Sequence, residues 1–280
     1  MRRKLILATS RSFELPVEDQ IRLFKEIGFD GFFTGWKNDG MTKHYAKLAQ
    51  ELGMEYQSIH APFRNAANMW KPQEEASDAI NELMLCLDDC HKANVPIMVV
   101  HAFIGFFDHT PNENGSKNFG IIVNKAEELG IKIAFENTEG EEYLDYLMDS
   151  FYNRDNVGFC LDTGHAMCYN RGRDMLKDYG DRLIATHIND NMGISSADGT
   201  ITWTDDLHLL PFDGIADWEE IMKKMCDCGY NGALTFELLR TGKPDRHEND
   251  KYTEMPIKEY LKQAYGAACR IATLMENMNA

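Results

Sequence analysis

Eight short apolar runs recur along the 280-residue chain, and a segment of helical spacing follows each one. The runs are Lys4 to Thr9, Gly31 to Gly35, Tyr56 to Ala61, Ile97 to Ala102, Ile131 to Phe135, Val157 to Leu161, Leu183 to Ile188 and Ala233 to Leu239. Behind the first comes Val17 to Ile27, with Val17, Ile21, Phe24 and Ile27 at helical spacing and Glu18-Asp19 at its acidic start. The others are followed by Met41 to Leu52, Glu74 to Ala93, Phe119 to Leu129, Glu141 to Met148, Asp174 to Tyr179, Trp218 to Cys228 and Ile257 to Met275. Consecutive parallel strands need a crossover, usually a helix, and eight such units close into a ring. The expected fold class is therefore α/β, a (β/α)8 barrel rather than an open sheet. No composition break divides the chain, so residues 1–280 read as a single barrel domain.

Six of these runs end on an acidic or imidazole residue: Ser58-Ile-His60, Val99-Val-His101, Ala134-Phe-Glu136, Leu161-Asp162, Ala185-Thr-His187 and Thr235-Phe-Glu237. Desolvating a lone carboxylate costs several kcal/mol, so a strand that ends on one implies a partner. In such a barrel the carboxyl ends of the strands carry the active site. Glu136, Asp162, His187 and Glu237 come from strands five to eight, neighbours in the wall, and their oxygen-rich set with one imidazole suits Mn, Mg, Co or Zn. His60, His101, His165 and His208 fall at the same face, as substrate-binding residues or as partners of the ligands. In Asp162-Thr-Gly-His165, Gly164 is expected to let the backbone turn so that His165 faces the cavity. Asp206 and His208, two apart on an extended segment, point the same way. Trp36, Phe63, Trp70 and Phe103 also follow strand ends, where loop packing is their commoner use.

The formal charge of −16, from 45 acidic and 29 basic residues, is spread along the chain. It speaks against a nucleic-acid partner, which needs a basic footprint to displace counterions. No apolar stretch is long enough to span a membrane, and the four apolar residues Leu5 to Ala8 behind Met-Arg-Arg-Lys are too few for a signal peptide. Seven scattered cysteines without paired zinc-ribbon spacing fit a reduced, cytoplasmic setting. No Gly-x-Gly-x-x-Gly follows the first strand and no Walker-type loop occurs, so dinucleotide and nucleoside-triphosphate chemistry have no support.

Over nearly its whole length the chain resembles the xylose isomerase-like barrels, which include sugar (phosphate) isomerases and epimerases and the endonuclease IV type of abasic-site nuclease. The residues that carry the resemblance are Ser-Ile-His60-Ala-Pro, Val-Val-His101, Ala-Phe-Glu136-Asn, Leu-Asp162-Thr-Gly-His165-Ala, His187-Ile-Asn-Asp-Asn, Asp206-Leu-His208-Leu-Leu-Pro-Phe-Asp-Gly-Ile-Ala-Asp-Trp218 and Thr-Phe-Glu237. The resemblance implies that Glu136, Asp162, His187 and Glu237 hold one divalent metal and that the two glutamates also move protons. In the nuclease type three zinc ions are bound, and His60, His101, His165, Asp206 and His208 match the further ligands, so additional zinc ions are open. The segment Pro211-Phe-Asp-Gly departs from the Pro-Gly-x-Gly usual in the family, which bears on the shape of the loop before Trp218.

The resulting expectation is a metal-dependent sugar isomerase or epimerase acting on a small sugar through an enediolate, with a homo-oligomer open. A dehydratase of a hydroxy acid on the same site, or an abasic-site phosphodiesterase, are the alternatives. Asn65 to Asn68 and Phe103 to Phe107 offer little for phosphates, which sets the nuclease behind the sugar enzyme.

Overall fold

The computed structural model of the chain describes residues 2–107 and 109–278. Residues 1, 108, 279 and 280 of the expected domain lie outside the described residues. In chain order the elements are β1 (Leu5–Ala8), α1 (Val17–Ile27), β2 (Gly31–Gly35), α2 (Thr42–Leu52), β3 (Glu55–His60), α3 (Gln73–Ala93), β4 (Ile97–His101), α4 (Glu113–Leu129) and β5 (Lys132–Glu136). There follow α5 (Glu141–Ser150), β6 (Val157–Asp162), α6 (Thr163–Cys168), α7 (Met175–Tyr179), β7 (Leu183–His187), α8 (Trp218–Asp227), β8 (Leu234–Phe236), α9 (Asp250–Thr253) and α10 (Ile257–Met278). All eight expected strands form. Two short helices, α6 and α9, had no counterpart in the sequence pattern, and α4 begins six residues before the expected Phe119, at Glu113.

The strands form one parallel sheet in the order β7-β6-β5-β4-β3-β2-β1-β8. Closure between β7 and β8 rests on a parallel bridge of Ile188 with Phe236, just past the end of β7. Ile188 N donates to Thr235 O at 2.7 Å and Glu237 N to Ile188 O at 3.3 Å. The ring of helices packs on the outer face of the barrel through one large apolar cluster that includes Ile21, Phe24, Leu83, Phe119, Phe135, Phe159, Met222 and Tyr260.

Alternate residues of each strand point inward, and those are small: Val99, Ala134, Cys160 and Ala185 form one interior cluster, and Ile6, Ala8 and Phe33 another. Because the strand repeat is two residues, the next inward positions are His101, Glu136, Asp162 and His187. Register aligns them across the wall, with His101 beside Glu136 and Asp162 beside His187. The same step leads from Ser58 to His60 on β3 and from Thr235 to Glu237 past β8. Backbone periodicity therefore delivers all six strand-end residues to one mouth.

Candidate metal centre

Nine acidic and imidazole side chains meet there in three groups, and within each group the potential ligand atoms lie within 4.8 Å of one another. One is Glu136, Asp162, His187 and Glu237; one is His60, His101 and Glu136; one is His165, Asp206 and His208. Every site residue singled out from the sequence belongs to one of them, and Glu136 belongs to two.

Glu136 is wholly buried, and both of its carboxylate oxygens are engaged. Oε1 lies 2.9 Å from His187 Nδ1, while Oε2 lies 3.2 Å from His60 Nε2 and 3.3 Å from His101 Nε2. Glu237 reaches the same His187 Nδ1 at 3.1 Å, and its side chain stays 28% exposed where that of Glu136 is sealed. Asp162 caps α6, accepting from His165 N at 2.7 Å through Oδ1, and accepts from Asn189 Nδ2 at 2.9 Å through Oδ2. Asp206 sits 3.4 Å from His165 Nε2 and 3.0 Å from His208 Nε2.

The imidazoles are held by their far nitrogens. His60 Nδ1 donates to Ala61 O at 2.8 Å, His165 Nδ1 to Asn137 O at 2.9 Å and His208 Nδ1 to Glu237 O at 3.1 Å. A ring tethered at Nδ1 turns Nε2 to the centre, where a bound metal would displace its proton. His187 is reversed: it presents Nδ1 to Glu136 and Glu237, its ring stacks on Phe33 at 4.7 Å, and its Nε2 is buried without a hydrogen-bond partner among the described residues.

The charges are balanced by mutual compensation. Burial would push Glu136 up, but the charge of His187 and hydrogen bonds from His101, His187 and His60 outweigh it and hold this carboxyl well below the usual range. Burial also opposes ionisation of Glu237, yet His187 draws it down to about 2. For Asp162 burial wins over His165 and His208, and its pKa is raised. Burial works against protonation of His208 too, but Asp206 outweighs it and lifts the ring to about 9. His165 is held well above its ordinary value against burial by Asp162 and Asp206, whereas burial lowers His101.

Three carboxylates with ligand atoms this close repel one another unless a cation joins them. The four-residue group offers three carboxylate oxygens and one imidazole nitrogen, a donor set suited to a divalent ion such as Zn, Mn, Co or Mg. Its chemistry fits the metal expected from the sequence.

The expectation for Gly164 needs correction. It lies inside α6, without positive φ, and an added Cβ would come within 2.0 Å of Asn189 Oδ1. The glycine makes room for Asn189 rather than turning the chain. Asn189 and Asn137 were missed in the sequence: Asn137 Oδ1 accepts from Asp162 N at 2.8 Å and its Nδ2 donates to Asp162 O at 2.8 Å. The available signal was an amide directly after, or two residues after, a strand-end ligand. Of the four aromatics, Phe63 alone stacks on a site residue, His101, at 4.7 Å. Trp36 bonds Asp89, Trp70 bonds Ala102 O, and Phe103 stacks on Tyr143, all in loop packing.

The loop before Trp218 keeps its turn despite the family departure. Phe212, standing where the usual pattern has glycine, takes the left-handed conformation at φ 76°, and Arg270 lies 3.6 Å over its ring.

Fold and site together define a class: (β/α)8 barrels whose strand ends gather carboxylates and imidazoles at one mouth, in groups that could hold a metal ion. The model of the xylose isomerase-like TIM barrel family matches residues 21–262, and the chain belongs to that family. It is 34% identical over 310 aligned positions to the protein y4fM of Sinorhizobium fredii (strain NBRC 101917 / NGR234), covering 95% of this chain and 91% of that one. It is 27% identical over 164 positions to the probable endonuclease 4 of Mycoplasma capricolum subsp. capricolum, covering 50% of this chain and 54% of that one. Among solved structures, the IolI protein with a bound zinc atom superposes with a TM-score of 0.75 at 19% identity, covering 96% of this chain and 98% of that one. The D-psicose 3-epimerase of Clostridium cellulolyticum H10 superposes with a TM-score of 0.72 at 16% identity, covering 96% and 99%. At such identities these likenesses establish the fold alone.

Proposed function

We propose that the protein is a metal-dependent isomerase or epimerase of a small polyhydroxy ketone or aldehyde, working through an enediolate. One observation carries this reading: Glu136 and Glu237, from different strands, converge on one imidazole nitrogen at 2.9 and 3.1 Å within a single donor group. Two carboxylates flanking one point can serve two faces of a flat enediolate. Structural neighbours that act on sugars, the D-psicose 3-epimerase among them, support it.

Glu136, Asp162, His187 and Glu237 would hold the ion, which would supply Lewis-acid stabilisation of the negative charge that develops on adjacent substrate oxygens. Glu237, the partly exposed carboxylate, takes the proton from the carbon next to the carbonyl and later releases it to solvent, while Glu136, ionised at rest, first gains a proton through the His60 ring 3.2 Å away and then delivers it from the sealed side. Return to the same carbon inverts it; delivery to the neighbouring carbon isomerises the sugar. His165 and His208 orient substrate hydroxyls from the adjoining wall.

The experiment is proton NMR of a panel of ketoses, free and phosphorylated, incubated in D2O with metal-loaded protein. Deuterium should enter at the carbon beside the carbonyl. If neither exchange nor conversion occurs across the panel, the proposal fails.

A second reading, phosphodiester hydrolysis, is favoured by the sharing of Glu136 between two donor groups. A carboxylate bridging two ions has no lone pair free to abstract a proton, whereas clustered ions activate water. Metal content separates the two: one ion per chain favours sugar chemistry, three favour hydrolysis.

A further inference from the structure

His101 differs from the tethered histidines. Its Nε2 faces Glu136 and His60, but its Nδ1 is buried with no hydrogen-bond partner among the described residues. A buried, unpartnered ring N–H costs on the order of 1–3 kcal/mol, and histidines that ligate metals almost always donate their second nitrogen.

Behind this ring lies a cavity of about 10 Å3 bounded by His101, Asn65, Glu82 and the apolar side chains of Pro62, Met69, Leu83 and Phe119. Such a volume holds one water, provided two to four polar groups face it. Here three do. Glu82 is out of place for a solvent-facing charge: on α3 it falls three residues after Ala79 and four before Cys86, both buried against the barrel. Its Oε2 accepts from Asn65 Nδ2 at 3.1 Å, which fixes the carboxylate at the cavity wall.

We propose that Glu82 is a positioning residue: through one water in this cavity its carboxylate accepts the Nδ1 proton of His101, so that Nε2 is presented unprotonated to the His60–His101–Glu136 group. The linkage does for His101 what backbone carbonyls do for His60, His165 and His208. It rests on that donor group and is independent of the reaction proposed above.

The test uses protein with 15N-labelled histidine, the His101 ring signals being assigned by their loss in His101→Gln. In the zinc-loaded wild type His101 carries its proton on Nδ1, with slow exchange against solvent. Glu82→Leu, which keeps the bulk without an acceptor, mixes the tautomers and weakens cobalt(II) binding, read by visible absorption, by roughly 10–100-fold. Glu82→Gln retains an oxygen for the water and keeps the wild-type tautomer and affinity. If Glu82→Leu changes neither tautomer nor affinity while its thermal midpoint stays at the wild-type value, Glu82 does not position His101. The same follows if Glu82→Gln behaves like Glu82→Leu. Should Glu82→Leu fold poorly, Asn65→Ala, which frees the carboxylate, gives the same mixed tautomer if the linkage exists and an unaltered one if it does not.

Discussion

An added methyl at Gly164 would overlap Asn189 Oδ1, and through it would disturb the bond from Asn189 Nδ2 to Asp162. Gly164→Ala should therefore cost about 1–3 kcal/mol, as overpacking does, and should weaken metal binding as well. Urea unfolding of the metal-free protein checks the first, and a metal titration the second; wild-type values in both would show that Asn189 is free to move. At the two carboxylates proposed to move protons, Glu136→Gln and Glu237→Gln would keep an oxygen for an ion and remove the base. Turnover should drop by roughly 10²–10⁴-fold in each. One of the two should still exchange substrate protons in D2O without forming product; equal loss of exchange in both would deny the glutamates separate faces. The convergence of the strand-end side chains was legible in the sequence because the two-residue strand repeat is local, so Ala134-Phe-Glu136 announces its own geometry. Asn137 and Asn189 were not, since their roles depend on β6 and α6 approaching from elsewhere in the chain.

Between β7 and α8 part of the connection folds around the buried carboxylate of Asp190. Asp190 accepts from Asn191 N and Ala216 N through Oδ1 at 2.9 and 3.0 Å, and from Phe212 N and Trp218 Nε1 through Oδ2 at 2.9 and 3.0 Å. Gly214 packs so closely that a Cβ there would lie 2.3 Å from Asn191 O. Four donors aimed at one group explain how Phe212 is kept at positive φ, a conformation that bulky residues rarely adopt. Asp190→Ala orphans all four, each worth about 1–3 kcal/mol when buried. Loss of less than about 2 kcal/mol in chemical denaturation would mean that water replaces the carboxylate there. The long helices and all eight strands could be read from hydrophobic period, but α6, of six residues, and α9, of four, are too short to show one. The placement of α6 is set by its cap Asp162, a residue whose strand-end position alone suggested a ligand, whereas α9 has no side-chain cap bond.

Across the whole molecule the mouth concentrates opposite charges, and this makes stability depend on pH. His165 and His208 have raised pKa values, so their contribution is full below about 6.5 and is lost as pH climbs through the folded value, about 9 for His208. Glu136, Asp206 and Glu237 are depressed, so theirs is full above the ordinary carboxylate range and is lost as pH falls toward about 2 for Glu237. Metal binding requires deprotonated imidazoles, and its affinity rises over the window in which the histidines lose their protons. The gap in urea midpoint between metal-loaded and chelator-treated protein should therefore widen from pH 6.5 to 9. A constant gap would exclude His165 and His208 from the metal-linked network. The charge of −16 gives a further expectation: incision of abasic duplex at physiological salt should be negligible, because phosphate contacts supply most of such affinity. Robust metal-dependent cleavage would instead select the hydrolytic reading. Finally, the barrel is a belt with one short buckle. Where other neighbouring strands share runs of paired residues, β7 and β8 meet at one bridge, and the two side chains next to that bridge are His187 and Glu237. An ion held by both would fasten the ring from inside, so chelation should speed hydrogen exchange at the Ile188 and Glu237 amides before it affects those between β4 and β5.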